Sequence, residues 1–436
     1  MKFIGKISVA AVFTAVLALI FSGCSLLDFF STDALLRAPK LTGDNAELQK
    51  AFENSAGKDV SLLTPLDGQY KSAYIFVDLD IDGQDEALVF YTKKDNENVV
   101  HMHLLSYDGS EWKSVYDVTG NGSDVFDIDF YNLDGDSDRE ILVTWTVSDS
   151  KRDKTLSLYK LVSDKRIISP LATVQMNEYS CIDIDSDGCN ELFYMYTDNS
   201  TEKYDMYAKV LKINSADNTM YPVSEIKLNT AIASIEYIGF EHSGGKCSVF
   251  LDCKNADEVY FTEIVAFDPE KAALSKPLEE AEIDVLRFTG RKNGLLSSDV
   301  NLDGHIEIPF ERESESSYIM NTDDGINVHM RFTEWRQLYD NELKMVKTVY
   351  NNNYDGYSLN ISEIQEYAYF VYDIKEHTIQ AKLKEGSEKD ELLFKLSCTD
   401  TAKEDGERPR VSISVTDAGR ARDISRAFVS SIISLD

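Results

Sequence analysis

The chain has 436 residues and a formal net charge of −32, because 76 acidic residues outnumber 44 basic ones. Proteins that bind nucleic acids displace counterions from phosphates with basic patches, so this charge excludes that class of partner. It also disfavours adhesion to anionic lipid headgroups. With 43% hydrophobic residues the chain can build a packed core, so its acidity does not indicate disorder.

The chain begins with the pattern of a secretory signal, over residues 1–23. Lys2 and Lys6 precede an apolar run over residues 7–21. That run is about 15 residues long, whereas a membrane-spanning helix needs about 20, so a single-pass anchor is the weaker alternative.

The signal ends in Phe-Ser-Gly-Cys, which resembles a bacterial lipobox. The resemblance implies that Cys24 becomes the lipidated first residue of the mature chain. Two or more acyl chains suffice for stable anchoring to a membrane without a helix. Residues 24–67 are then a lipid-anchored tether, which includes a short predicted helix over residues 44–56.

A nine-residue acidic pattern follows four times, in segments that we call loops 1 to 4. Each has Asp or Asn at positions 1, 3 and 5, Gly or Ser at position 6, and Glu at position 9. The candidate ligands are Asp78, Asp80, Asp82 and Glu86 in loop 1; Asn132, Asp134, Asp136 and Glu140 in loop 2; Asp183, Asp185, Asp187 and Glu191 in loop 3; and Asp299, Asn301, Asp303 and Glu307 in loop 4.

This spacing suits calcium, which takes six to eight oxygen ligands at about 2.3–2.6 Å from a tight turn. An EF-hand is excluded, because its loop closes with Glu at position 12 and lies between helices. Here the flanking residues are strand-like. We therefore predict up to four structural Ca²⁺ ions, each held in a loop that connects two strands.

Loop 2 is predicted to be the weakest of the four sites. Asn132 replaces the first carboxylate, and Ser137 occupies the position where the other loops have glycine. A serine there must either adopt the costly left-handed backbone conformation or distort the turn.

The repeat also predicts the architecture. The first positions of the loops are 54, 51 and 116 residues apart, and the last spacing suggests a degenerate copy near residues 235–252, without metal ligands. A strand-rich period of about 50 residues is typical of a β-propeller with one four-stranded blade per repeat. These loops resemble the FG-GAP/VCBS repeats of integrin-α-like propellers, in which they hold structural calcium between the strands of a blade.

The fold class that we predict is mainly β. Residues 68–310 form a calcium-loop β-propeller of about 5–7 blades, residues 311–327 a linker, and residues 328–436 a small α+β domain. The α component includes an amphipathic helix over residues 419–434. Together with the lipobox, the repeats also resemble the VCBS-repeat lipoproteins of Firmicutes-type bacteria.

The sequence shows no catalytic constellation, since neither His-Glu-x-x-His nor Gly-x-Ser-x-Gly occurs. His101 and His103 have a spacing that zinc ligands can use, but a solvent-facing strand is the favoured interpretation. We expect most of the five cysteines after Cys24 to be buried and unpaired, with a bond between Cys181 and Cys189 as the alternative.

These observations predict an extracytoplasmic lipoprotein that serves as a binding or scaffolding module; they leave enzyme activity open and favour a non-enzymatic role. Its partners are the membrane, through the lipid on Cys24, and an unidentified protein or glycan. The alternative is a glycan-binding or glycan-active surface protein, in which Trp112, Trp145 and Trp335 offer stacking faces.

Overall fold

A computed structural model defines the architecture. It describes residues 44–147, 154–162, 167–198, 205–214, 216–322, 325–384, 390–400 and 410–415. The predicted signal sequence, the lipidation site Cys24 and the predicted helix over residues 419–434 lie outside the described residues.

The described part is mainly β, as predicted. Its elements are α1 (Asp44–Ala56), β1 (Val60–Leu63), β2 (Tyr74–Val77), β3 (Glu86–Lys93), β4 (Asn96–Tyr107), β5 (Trp112–Thr119), β6 (Asp124–Tyr131), β7 (Glu140–Thr146), β8 (Lys154–Val162), β9 (Ile167–Met176), β10 (Glu178–Ile182), β11 (Glu191–Asp198), β12 (Asp205–Asn214), β13 (Thr219–Lys227), β14 (Ser234–Ser243), β15 (Lys246–Lys254), β16 (Tyr260–Asp268), β17 (Ala273–Ser275), α2 (Pro277–Glu280), α3 (Val285–Thr289), β18 (Glu307–Met320), β19 (Val328–Tyr339), β20 (Glu342–Asn352), β21 (Tyr357–Asn360), β22 (Ala368–Asp373), β23 (Thr378–Leu383), β24 (Leu392–Asp400) and β25 (Arg410–Val415).

The strands form small antiparallel sheets in chain order. One sheet has the order β1-β3-β4-β5, with β2 also paired to β3, and the next three have the orders β6-β7-β8-β9, β10-β11-β12-β13 and β14-β15-β16-β17. The last eight strands form one sheet in the order β21-β20-β19-β18-β22-β23-β24-β25. Here β18 pairs with β19 antiparallel and with β22 parallel.

Burial within the small sheets follows the apolar pattern of the sequence. The strands β3, β7 and β11 begin with continuous apolar runs after their Glu, and those runs are buried on both faces. By contrast, β5 and β13 mix half-buried and exposed positions along their length. The second strand of each sheet is therefore central to the core, and the fourth lies towards solvent.

The chain divides into two compact units. The first comprises the described residues up to Thr64, together with Ser72–Asp78 and Gly83–Gly120. In its core Leu48 and Phe52 of α1 pack on Tyr91 of β3, with an edge-to-face contact of 5.2 Å between the rings of Phe52 and Tyr91. The helix predicted over residues 44–56 is confirmed.

The second unit comprises Pro65–Lys71, Leu79–Asp82 and the described residues from Asn121 onward. In one apolar cluster, Leu142 of β7 packs with Leu192 of β11. In another, Phe193 of β11 packs with Phe250 of β15 and Ile308 of β18. Each sheet of this unit thus packs on the sheet that follows it in the chain.

The structure differs from the predicted linker over residues 311–327. Residues 311–320 belong to β18, which is hydrogen-bonded to β19 on one side and to β22 on the other. Residues 311–313 pair with β19 and residues 318–320 with β22, while residues 314–317 lie at a break in the ladder register. Beyond β18, the described residues form β19–β25.

Five cysteines lie in the described part, and none forms a disulfide. Cys181, Cys247, Cys253 and Cys398 are buried, and Cys189 is half-buried. The expectation of unpaired cysteines is confirmed for these five. No helix in the described ranges has the length and apolarity needed to cross a membrane.

Candidate metal sites

The loops occupy equivalent places in the fold. Loops 1, 2 and 3 connect the first strand of a repeat to its second, namely β2 to β3, β6 to β7 and β10 to β11. Loop 4 leads into β18, and an antiparallel bridge joins Ser298, just before the loop, to Glu307 at its end. The degenerate copy near residues 235–252 is the hairpin of β14 and β15, with Gly244 and Gly245 at its turn.

Loops 1, 3 and 4 share one backbone geometry. Their position-6 glycines have φ of +89° at Gly83, +93° at Gly188 and +88° at Gly304. In each loop the amide of that glycine donates to Oδ2 of the position-1 aspartate, at 3.0, 3.1 and 2.9 Å respectively. Glycine is required here because other residues rarely adopt this conformation.

A second left-handed residue precedes each of those glycines by two positions, and the sequence pattern did not reveal it. Ile81, Ser186 and Leu302 have φ of 54°, 61° and 62°. Such backbone conformations cost about 1–3 kcal/mol each and concentrate at functional sites. Of the three residues, Ile81 tolerates this conformation least, because its side chain is β-branched.

Loop 2 does not share this geometry, as we predicted from the serine at its position 6. Gly135, at position 4, has φ of 78°, whereas Ser137 is not among the described residues with positive φ. The amide that donates to Oδ1 of Asn132 is that of Gly135, at 2.8 Å. Ser137 thus avoids the left-handed conformation, and the turn is rearranged around it.

The position-9 glutamates close the loops from the interior. Glu86, Glu140, Glu191 and Glu307 are all buried. In loops 2, 3 and 4 the Oε2 atom of this glutamate accepts the amide of the position-2 residue, with distances of 2.7 Å to Leu133, 2.9 Å to Ile184 and 2.9 Å to Val300. These bonds tie each of the three glutamates to the start of its own loop.

Burial raises the pKa of three of these glutamates. Desolvation, followed by the negative charge of Asp134, raises the pKa of Glu140 to about 7. Desolvation and Asp185 raise the pKa of Glu191 to about 7 as well. The pKa of Glu307 is also raised, by burial and then by Asp303 and Asp299. A cation in the loop would offset this cost, because it favours the ionised carboxylate.

Three loops bring carboxylates together closely enough to hold a metal ion. The described ranges contain three such groups of three residues. In each group, one carboxylate oxygen per residue lies within 4.8 Å of the other two. The groups are Asp78, Asp80 and Glu86; Asp134, Asp136 and Glu140; and Asp183, Asp185 and Glu191. The predicted ligands Asp82 and Asp187 are not members of these groups.

Loop 4 does not form such a group of three acidic residues, because Asn301 takes the place of one carboxylate. The amide nitrogen of Asn301 donates to Oδ2 of Asp303 at 3.0 Å. Its amide oxygen accepts from the backbone amide of Asp303, also at 3.0 Å. Glu307 Oε1 is buried and has no hydrogen-bond partner among the described residues.

Two lysines outside the loops contact the acidic groups. The ammonium of Lys212, on β12, lies 2.6 Å from Asp185 Oδ2, 2.8 Å from Asp187 Oδ2 and 3.2 Å from Glu191 Oε1. The ammonium of Lys160, on β8, contacts Asp134 and lies 2.7 Å from Asp136 Oδ2 and 3.9 Å from Glu140 Oε1.

The pKa values of these lysines reflect the contacts. Although burial lowers the pKa of each ammonium, the hydrogen bonds raise it above its usual range. The acceptors are Asp134 and Asp136 for Lys160, and Asp185 and Asp187 for Lys212. Both side chains are therefore charged at neutral pH.

The histidines and tryptophans considered as alternative sites are engaged in packing. His103 is buried, contrary to the expected solvent-facing strand, and its Nε2 lies 2.9 Å from Ser114 Oγ. Neither His101 nor His103 belongs to a metal-binding group in the described ranges. Trp145 and Trp335 are buried, so neither presents a face on which a sugar can stack.

No family model matches the chain, and no curated protein matches it. Among solved structures, it is similar to a hypothetical selenium-binding protein from Sulfolobus tokodaii, with 12% identity, a TM-score of 0.30 and coverage of 48% of this chain and 54% of that one. It is also similar to a hypothetical protein from Leishmania major, with 14% identity, a TM-score of 0.24 and coverage of 68% and 91%. The chain spans about half the length of the first structure. At these TM-scores neither similarity assigns a fold or a function.

Proposed function

We propose that this protein is a calcium-stabilised β-propeller, anchored through a lipid on Cys24 outside the cytoplasmic membrane, that serves as a binding or scaffolding module. The observation that carries the proposal is the recurrence of one acidic loop at one place in the fold. Three of its four copies share the hydrogen bond from the position-6 glycine to the position-1 aspartate.

Calcium is the cation that suits these loops best. The candidate ligands are carboxylate and amide oxygens, which hard cations prefer, and a flexible turn accommodates calcium more readily than the strict octahedron of magnesium. Extracellular calcium modules bind at about 10⁻⁴–10⁻³ M, which fits a location where the ion is plentiful.

The arrangement of sheets supports a propeller. Four-stranded antiparallel sheets follow one another in the chain, and in the second unit each packs on the next. The strands β18, β19 and β20, which follow loop 4, continue the same strand order in a fifth repeat. Blades of this kind leave only short sheet edges, which suits a surface module exposed to partners.

The calcium proposal predicts that chelation lowers the melting temperature. An ion that binds only the folded state stabilises it by mass action, by about 1 kcal/mol per occupied loop at 1 mM calcium. For a protein of this size that corresponds to a few °C. Thermal melts with 1 mM calcium and with EDTA measure the difference. Equal midpoints in the two conditions would contradict the proposal.

A variant of loop 1 tests whether that loop contributes to the calcium-dependent rise in melting temperature. Replacing Asp80 and Asp82 by alanine removes two candidate ligands of loop 1, and we expect the calcium-dependent rise in melting temperature to shrink. The matched control is Asp85→Ala, in the same loop but outside the ligand pattern, which should keep the full rise. If both variants behave alike, loop 1 is not a calcium site.

The class of partner is tested separately. Trp145 and Trp335 are buried and cannot stack on sugars, so of the three tryptophans only the half-buried Trp112 remains for the glycan alternative. Glycan arrays and hydrolysis assays on cell-wall polymers, with the calcium-loaded full chain, distinguish glycan binding from protein binding. Binding to a defined glycan or hydrolysis of a polymer would replace the scaffolding proposal with the glycan alternative.

A further inference from the structure

The four loops differ at one position that lies outside them. The ladders place Ile141 opposite Tyr159 and Leu192 opposite Leu211. One residue closer to the loops, Glu140 therefore lies opposite Lys160, and Glu191 lies opposite Lys212. A lysine on the third strand of the repeat thus faces the position-9 glutamate in loops 2 and 3.

The same position is uncharged in loops 1 and 4. On β4, Ser106 lies beside Glu86, and its hydroxyl donates to Glu86 Oε1 at 3.3 Å. On β19, Gln337 pairs with Glu307. These two loops therefore have no ammonium at the position that Lys160 and Lys212 occupy.

The two lysines contact the oxygens that a metal ion would need. Lys212 is within 3.2 Å of one oxygen from each of Asp185, Asp187 and Glu191. Lys160 contacts Asp134 and Asp136 directly, and its ammonium lies 3.9 Å from Glu140 Oε1. Glu140 Oε1 and Glu307 Oε1 are both buried without a hydrogen-bond partner among the described residues, but only Glu140 has an ammonium nearby, that of Lys160 at 3.9 Å. A buried carboxylate oxygen of this kind requires a cation or donor.

We propose that Lys160 and Lys212 are tethered counter-cations that take the place of calcium in loops 2 and 3, so that loops 1 and 4 are the calcium-binding pair. This inference rests on the proposed function, because it concerns which of the acidic loops use calcium. It reduces the predicted four ions to two.

Competition between the two cations follows from their chemistry. An ammonium and a calcium ion cannot share the same carboxylate oxygens, because they repel each other and each needs those oxygens as ligands. A side chain held on a neighbouring strand acts as a ligand at an effective concentration of millimolar or more. Calcium binding at about 10⁻⁴–10⁻³ M does not readily displace such a competitor.

Counting the ions bound by the full chain tests the proposal, with calcium alone as the probe in equilibrium dialysis at 1 mM. We expect two ions for the unaltered chain and three for Lys212→Gln, whose loop 3 should gain at least 10-fold in affinity. The control is Lys209→Gln on the same strand, where the ammonium pairs with Glu225 at 2.8 Å, away from the loops. It should leave the count at two.

A reciprocal variant tests the same idea where no lysine is present. Gln337→Lys introduces an ammonium beside Glu307 and should reduce the count from two to one. Thermal melts in EDTA accompany both variants: Lys212→Gln should melt lower than the unaltered chain, since its carboxylates lose their counter-cation, and Gln337→Lys should melt higher.

The outcomes separate this inference from the proposed function. Four ions in the unaltered chain, or an unchanged count in both Lys212→Gln and Gln337→Lys, would overturn the role of the lysines and leave the calcium function standing. No bound calcium in any form would overturn both. If Lys212→Gln does not fold in EDTA but folds in calcium, the result supports the proposal, because calcium then replaces the missing ammonium.

Discussion

Replacing Asp252 by alanine should lower the free energy of unfolding by about 3–5 kcal/mol, because it leaves a buried guanidinium without its counter-ion. Asp252 and Arg291 are fully buried, and Arg291 Nη2 lies 2.7 Å from Asp252 Oδ1. Burial lowers the pKa of Arg291, and the charge of Asp252 counteracts that shift. The aspartate is thus the group that makes a charged arginine tolerable in this interior.

Other donors depend on the same carboxylate. Thr262 Oγ1 donates to Asp252 Oδ1 at 2.6 Å, and the amide of Ser297 donates to Oδ2 at 2.5 Å. Alanine at position 252 removes these acceptors together with the ion pair. Each buried donor left without an acceptor adds to the cost.

Urea denaturation of the full chain measures this loss. The control is Asp257→Ala, at an exposed position three residues after β15, where a change within about 0.5 kcal/mol is expected. The double variant Asp252→Ala, Arg291→Met should be more stable than Asp252→Ala alone, since the unpaired charge is gone. A loss below about 1 kcal/mol in the single variant would contradict the account of the ion pair.

Replacing Glu263 by glutamine should stabilise the protein above neutral pH, by about 3 kcal/mol. Glu263 on β16 is buried, and its Oε2 has no hydrogen-bond partner among the described residues. The ammonium of Lys276 lies 3.8 Å from Oε1. Burial raises the pKa of Glu263 from 4.5 to about 7. That difference corresponds to about 3 kcal/mol.

The sign of the pH dependence follows from the raised pKa. Between pH 4.5 and about 7 the folded protein keeps a proton on Glu263 that the unfolded chain releases. Stability therefore falls as the pH rises through this window. Glutamine is neutral throughout, so the stability difference between Glu263→Gln and the unaltered chain should be small at pH 4.5 and reach its full size above pH 7.

Denaturation curves at pH 4.5, 6 and 8 measure that difference. The control is Glu270→Gln, at an exposed turn next to β16, which should show no such pH dependence. A difference that stays constant from pH 4.5 to pH 8 would show that Glu263 is ionised in the folded protein throughout, contrary to its burial.

The sequence was sufficient to predict the places of the loops and of many strands. The spacing of Asp, Asn and Gly within each loop is local, so a pattern of nine residues locates the turn and its ligands. The apolar runs after Glu86, Glu140 and Glu191 mark the central strands, because those strands are buried on both faces. The different turn geometry of loop 2 could also be predicted, from the single residue Ser137.

The lysines at loops 2 and 3 could not be found in the same way. Whether Lys160 lies beside Glu140 depends on the length of the connection between β7 and β8 and on the register of their ladder. Neither is encoded in the loop pattern. A shift of one residue would turn the lysine to the other face of the sheet.

The strand β18 was mistaken for a linker for a related reason. Its outer half is rich in Glu, Arg and Ser, and lacks the apolar alternation that marks a half-buried strand. In the structure the ladders to β19 and β22 flank a register break at residues 314–317, where Ser314 and Ser317 are the buried positions. Non-local pairing of this kind leaves little trace in composition.

The most direct measurement of the calcium proposal is a crystal structure of the full chain grown in calcium, with anomalous differences recorded at long wavelength. We expect calcium peaks in loops 1 and 4, coordinated by Glu86 and Glu307, and the ammonium of Lys212 among the carboxylates of loop 3. Peaks in all four loops would contradict the role of the lysines. The absence of a peak from every loop would contradict calcium binding itself.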